Sequence, residues 1–233
     1  MGLFAEIVNV LSGQGPELWP IVGLSLRISL GATLLAAILA IPLGTWLAIY
    51  RFPGRGAILT LSTAFMALPP VVVGLLVYLM LSRSGPLGDW GILFTPTAMV
   101  MAQTILVFPI ILALTVEAIA PLNRAYHPLF EAHDADQSLR LRVLIWDARF
   151  AILTALLAGF GRAIAEVGAV IIVGGNINGF TRVMTTTIAL ETSKGNLELA
   201  LALGAILILI ALAVNILFQS LKRYGRRYED AAR

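Results

Sequence analysis

The sequence predicts an all-α, polytopic integral membrane protein with about five transmembrane helices. Its N-terminus is expected outside and its C-terminus in the cytoplasm. Three observations carry this. First, 59% of the 233 residues are hydrophobic and only 12% charged, with a mean hydropathy of +0.91. Soluble domains hold about 45–50% apolar and about 25% charged residues, so too few polar side chains exist to cover a globule and lipid must supply part of the solvent. Second, apolar runs recur at the length of about 20 residues needed to cross a bilayer core. Third, the loop charges alternate in sign bias from one side to the other, as the positive-inside rule requires of a multi-pass protein.

The expected spans are 22–50, with Arg27 near its start and Pro42 near its end, then 57–81, containing Pro69-Pro70. They continue with 97–120, closed by Pro121, then 150–173 and 197–221. Arg51 and Arg55 follow the first; Arg124, Arg140, Arg142 and Arg149 lie between the third and fourth; Lys222, Arg223, Arg226 and Arg227 follow the last. Acidic residues and mixed charges mark the other side: Glu6 and Glu17, Arg83 with Asp89, and Arg182 and Lys194 with Glu191 and Glu198. An odd number of spans agrees with this polarity. Residues 1–20 contain no Lys or Arg, unlike the basic start of a cleavable signal, so insertion through the first span is expected. The whole of 1–233 reads as one membrane domain.

Two connections are too elaborate for plain turns. Segment 124–149, on the cytoplasmic side, mixes Leu129, Phe130, Leu139, Leu141, Val143 and Leu144 with charges, which predicts one or two short amphipathic helices along the membrane surface. Segment 174–196, on the outer side, is polar for a span and apolar for a free loop. It predicts a stretch dipping back towards protein or a water-filled cavity.

The net charge of +3 does not point to nucleic acid, because the basic residues flank apolar spans rather than forming one polar face. No cysteine is present, which removes disulfides and thiolate metal sites. His127 and His133 have no second ligand at metal-binding spacing, so no metal is expected. No Gly-x4-Gly-Lys-[Ser/Thr] loop, His-Glu-x-x-His or Gly-x-Ser-x-Gly occurs, so no catalytic residues are expected and no cofactor is assigned to this chain. Any nucleotide must be handled by another polypeptide.

The candidate functional residues lie in three places. Arg162 and Glu166, four residues apart within the fourth span, share a helical face. Charges at that depth cost roughly 2.5–3.5 kcal/mol each, so they must pair, face protein or water, or line a pathway. Gly159 and Ala169 extend that face, and Gly161, Ala165 and Gly168 form a second row of small residues suited to close helix packing. Pro69 and Pro70 remove two backbone donors in mid-span and force a kink or break, either static or at a gate. Asn176, Thr185, Thr186 and Thr187 offer polar groups at the outer side. They either face a passing oxyanion or cap a re-entrant turn.

With those residues in view, the chain resembles the type I ABC importer permeases. Leu129-Phe130-Glu131-Ala132-His133, placed before the penultimate span, is similar to their coupling segment, Glu-Ala-Ala-x3-Gly followed by an apolar stretch. Here His133 replaces the second alanine, Asp136-Gln137 stands where the glycine is expected, and Asp147 follows the apolar Val143-Leu144-Ile145-Trp146. The runs 158–178 and 181–192 resemble the tungstate-type branch of the molybdate/sulfate permeases. The resemblance implies a permease subunit of the prokaryotic plasma membrane, for tungstate or else molybdate or sulfate, acting as a homodimer. It implies two copies of a cytoplasmic ATPase binding ATP-Mg, and an extracytoplasmic oxyanion-binding protein. It also implies that Glu131, Ala132, His133, Asp136, Gln137 and Arg140 couple to the ATPase, while Pro69, Pro70, Arg162, Glu166, Asn176 and Thr185 to Thr187 shape pore and gate. A passive anion channel would need the same pore but not segment 124–149. An intramembrane enzyme using Glu166 would lack a second catalytic group at suitable depth.

Overall fold

The first expected span is a single helix, α1 (Leu18–Ile49). Its residues are apolar on every side, as befits a helix with lipid on one face and protein on the other. At 1.5 Å per residue it is about 48 Å long and outreaches the membrane core. The structure is a computed structural model that describes residues 18–231; Glu6 and Glu17 of the expected acidic terminus lie outside the described residues. At its far end α1 is closed by side chains from elsewhere. Arg55 Nε donates to the Leu47 carbonyl at 2.6 Å and Asn123 Nδ2 to that of Ala48 at 3.5 Å, capping carbonyls that the helix itself cannot satisfy.

The second expected span is two helices, α2 (Arg55–Phe65) and α3 (Pro70–Leu81), inclined at 102°. The Pro69-Pro70 pair causes the break. Pro69 is extended at φ −62°, ψ 122°, as a residue before proline must be. Pro70 then opens α3 at the first helical position, where a missing N–H costs nothing.

The third expected span is helix α4 (Pro96–Ala132), which does not stop at Pro121 as expected; its 37 residues include Pro109, Pro121 and Pro128. An interior proline costs about 3 kcal/mol. Beyond Pro121, however, Phe130 is buried in the cluster that also holds Leu47, Leu144 and Ile152, with Leu122 and Tyr126 packed against it. Burying one such large side chain contributes roughly 1.5–3 kcal/mol, so together they outweigh the proline. The segment 124–149 is therefore the end of α4, a turn, and one helix, α5 (Gln137–Asp147), followed by α6 (Arg149–Ile164) at 66°.

The fourth expected span also breaks. Helix α6 ends at Ile164 and a short α7 (Gly168–Gly174) resumes after Glu166 and Val167. Segment 174–196 folds back as α8 (Met184–Lys194), and α9 (Leu197–Ala231) closes the chain. No strand occurs among the described residues. Helices α1, α4 and the 197–220 part of α9 are each long and apolar enough to cross a membrane, and by length and composition up to five crossings result if the bent pairs α2–α3 and α5–α6 each count as one.

Packing sorts these elements into two ends. The start of α1 meets the end of α6, α8 and the start of α9 through Leu18, Val22, Ile164, Met184 and Leu203, while Val73, Met99, Val170 and Val173 join α3, α4 and α7. The opposite end gathers the last turns of α1 with α4, α5 and the start of α6. Close approach is made by glycines. A Cβ on Gly74 of α3 would lie 2.7 Å from the Ala169 Cα of α7, and one on Gly159 of α6 2.8 Å from Val107 of α4. Of the expected small-residue row, a Cβ on Gly168 would lie 2.7 Å from Val71, whereas one on Gly161 would meet nothing within 4 Å.

Candidate functional site

Arg162 and Glu166 form an ion pair, but not on a continuous helix. Arg162 occupies the last turn of α6 and Glu166 lies in the break before α7. The reason for the break is visible in its partners. Ending α6 at mid-depth frees carbonyls that lipid cannot satisfy. The Ala163 carbonyl accepts from Gln103 Nε2 of α4 at 3.0 Å and from the Glu166 N–H at 3.1 Å. The Glu166 carbonyl accepts from the Thr185 hydroxyl of α8 at 2.7 Å. On the far side, Glu166 Oε1 accepts from the Ala169 N–H at 3.2 Å, so one carboxylate both holds Arg162 and caps the start of α7.

Each charge also meets the favourable helix end. A cation at a C-terminus and an anion at an N-terminus are both stabilised by the backbone dipoles. The Glu166 side chain is 3% exposed and that of Arg162 32%. The carboxylate is thus enclosed, while the guanidinium reaches a surface of this single chain.

The Pro69-Pro70 break lies beside this centre, since Val71 touches Gly168 and Gly74 touches Ala169. Two half-length helices, α3 and α7, are therefore packed against each other near their starts. Asn176, Thr186 and Thr187 lie elsewhere and are differently used, whereas Thr185 belongs to this centre through the Glu166 carbonyl. Asn176, at φ +50°, turns the chain after α7; its Oδ1 lies 2.9 Å from the Thr186 hydroxyl. The Thr186 oxygen also accepts from the Val183 N–H at 3.2 Å, which ties down the start of α8. Thr187 donates to the Val183 carbonyl at 2.7 Å. Thr185, Thr186 and Thr187 are all buried in this chain: Thr186 and Thr187 tie down the start of α8, and Thr185 ties α8 to the break at Glu166.

The residues expected to couple to an ATPase form a second constellation at the other end. Helix α4 ends in a six-residue turn. The Ala135 N–H donates to the Phe130 carbonyl at 2.9 Å and the Asp134 N–H to that of Glu131 at 3.3 Å, with Asp134 left-handed at φ +44°. That bond pair is the Schellman closure, which normally places glycine at the left-handed position. The turn thus needs its special residue at Asp134, not at 136–137. His133 caps α4, with Nδ1 3.0 Å from the Leu129 carbonyl. Asp136 caps α5, accepting from the Leu139 N–H at 3.0 Å and the Ser138 hydroxyl at 2.7 Å. These two donors hold its carboxyl below the usual range, the Ser138 hydroxyl contributing most.

Arg140 bridges the turn. It meets Glu131 Oε1 at 3.0 Å, donates from Nε to the Ala135 carbonyl at 3.1 Å, and lies over the Phe130 ring at 5.6 Å. Ala132 and Gln137 are the last residue of α4 and the first of α5. Phe130 and Leu144 anchor the hairpin inward. Outward it presents Leu129, Leu139 and Trp146, the last 68% exposed, beside an open groove lined by Leu141, Val143, Ile145 and Trp146 together with Arg142, Asp147 and Arg149.

Sequence reasoning missed Gln103, Thr181 and Ser25. Thr181 donates to the Gly174 carbonyl at 2.5 Å and Ser25 accepts from the Met184 N–H at 2.8 Å. Their only sequence signal is polarity within an apolar stretch. Among the described residues no cluster of three metal-ligating side chains occurs.

Comparison with known proteins fits this architecture. The chain is 42% identical over 216 residues to a probable anion ABC transporter permease protein of Haloferax volcanii, covering 90% of each chain. It is 38% identical over 219 residues to the tungstate uptake system permease protein TupB of Peptoclostridium acidaminophilum, covering 94% of this chain and 96% of that one. It is 40% identical over 158 residues to TupB of Campylobacter jejuni, covering 68% and 66%. Residues 40–226, which include both constellations, match the family described as binding-protein-dependent transport system inner membrane component. The chain belongs to that family: it is a multi-pass membrane component of a binding-protein-dependent transport system.

Proposed function

We propose that this chain is the permease subunit of an ATP-driven importer for a tetrahedral oxyanion, tungstate first. It works as a homodimer with two cytoplasmic ATPases, which bind ATP-Mg, and receives its anion from an extracytoplasmic binding protein. The observation that supports this most is the exposed hairpin of α4 and α5: it offers apolar side chains on a braced, capped turn at the end where the loop arginines gather. Such a surface suits a protein partner better than water.

In this reading the hairpin is a rigid lever. Glu131, Arg140 and Asp136 fix its shape, and Leu129, Leu139 and Trp146 meet the ATPase. ATP binding would draw two such levers together and bias the membrane part between two arrangements. The motion reaches the interior along α4 and α6, which carry Gln103 and Arg162 to the break at Glu166. Proline at 69–70 and the gap at 165–167 leave α3 and α7 as a packed pair able to shift as one unit. The anion crosses between two copies of the chain. Selectivity then resides mainly in the binding protein, because a path that held a dianion tightly could not release it.

The test is uptake by vesicles containing the chain with its ATPase and binding protein. Tungstate should accumulate only with ATP and all three proteins, with molybdate and sulfate as competitors. Accumulation without ATP would instead support a passive anion channel.

A further inference from the structure

At the end of the bundle that loop charges assign to the outside, a cavity of about 410 Å³ opens between the first turns of α1 and the loop before α8. Trp19, Ile21, Leu24 and Phe180 form apolar walls, and two guanidinium groups, Arg27 and Arg182, line it together with no carboxylate among the lining residues. Arg27 is exposed on α1 and makes no hydrogen bond or ion pair among the described residues. Arg182 donates from Nη1 to Asn178 Oδ1 at 3.0 Å, but its Nε is buried and has no partner. Glu191 is within electrostatic reach of Arg182, yet its two oxygens are held by Lys194 at 2.9 Å and Asn196 at 3.0 Å. Two cations lining one cavity repel unless an anion joins them.

We propose that Arg27 and Arg182 form a receiving site for a tetrahedral oxyanion bearing two negative charges. Guanidinium forks match the paired oxygens of such an anion, and the apolar walls strengthen the attraction by lowering the local dielectric. Arg182, part-buried and tethered through Nη1 to Asn178, supplies the inner cation and Arg27 the exposed one, which leaves the anion able to depart. This rests on the reading of the chain as an oxyanion permease and gives that reading a first binding step.

The probe is sodium tungstate, titrated calorimetrically into the purified transporter in non-ionic detergent and in phosphatidylglycerol nanodiscs. Arg27→Gln and Arg182→Gln should each weaken binding about tenfold or more, and Arg182→Lys should weaken it less than Arg182→Gln. Chloride should not compete at equal concentration. Basal ATP hydrolysis by each variant complex establishes that it is assembled. Unchanged tungstate affinity in both glutamine variants would overturn the proposal. So would binding in detergent that vanishes in the nanodiscs, because a lipid phosphate would then be the occupant. Glutamine variants that bind tungstate normally but lose the binding protein would also overturn it, as a docking contact. Normal transport by both variants refutes the site and leaves the permease reading intact. Arginine-dependent binding in a wild-type complex that transports no oxyanion refutes the substrate and leaves the site.

Discussion

Arg162 and Glu166 are tolerable inside an apolar bundle because the backbone breaks between them. The α6 carbonyl end faces the cation and the α7 amide end faces the anion, so the pair is stabilised by more than mutual attraction. An exchange of the two residues is therefore not neutral. Arg162→Glu with Glu166→Arg would place each charge at the wrong helix end and remove the acceptor of the Ala169 N–H. Transport by the double exchange is expected to be as low as in Glu166→Ala, which leaves a cation without its carboxylate at a cost on the order of 3 kcal/mol. Recovery in the double exchange, read as ATP-dependent uptake, would mean that the pair acts through charge contact alone. Asp136 has a smaller, pH-dependent role. Its folded pKa lies below the unfolded value, so the stability it lends to the start of α5 is complete above that value and lost as pH falls through the folded one. The protection of amides at the start of α5, that is their exchange rate relative to the unfolded chain at the same pH, should fall from about pH 4 downwards. In Asp136→Asn that protection should stay level over the same range; an equal acid loss would assign the effect to another group.

Among the elements, the half-helices α3 and α7 depend on one contact. Gly74 admits Ala169 at a distance that no side chain allows. Gly74→Ala should separate the two helices at a cost of about 1–3 kcal/mol, seen as a lower thermal midpoint of the purified transporter; an unchanged midpoint would show that α3 yields freely. The sequence makes the first half of this legible and hides the second. Pro69-Pro70 announces a break because proline lacks a donor. The 102° angle follows from packing against a segment almost a hundred residues later, which no local pattern records. The break at 165–167 was illegible for a related reason: Ala163 and Ala165 favour helix, and what ends it are Gln103 and Thr185, brought in from α4 and α8. Pro121 misled in the opposite direction, since the burial of Phe130 prevails over a lost hydrogen bond. In the coupling hairpin the residue types of Glu131, Asp136 and Arg140 were readable, but the left-handed position moved to Asp134 because the helix ended at Ala132.

For the molecule as a whole, a large part of the apolar surface has no partner among the described residues. Ile38 of α1, Leu76 of α3, and Leu209 and Ile216 of α9 are all more than half exposed, as lipid or a second copy would require. The helix hairpin is different, because its exposed Leu139 and Trp146 lie at the end where α1, α4 and α6 converge and the basic loop residues gather. The proposed mechanism turns on that hairpin being gripped from the cytoplasm by a separate ATPase. The chain contains no cysteine, so Leu139→Cys introduces a single reactive position. In inverted membrane vesicles holding the full transporter, a short thiol cross-linker should join Leu139→Cys to the ATPase, and ATP should change the yield, while Leu209→Cys on α9 should give no such product. Labelling of Leu139→Cys by an impermeant reagent from the outer face of intact cells, with no cross-link to the ATPase, would contradict it.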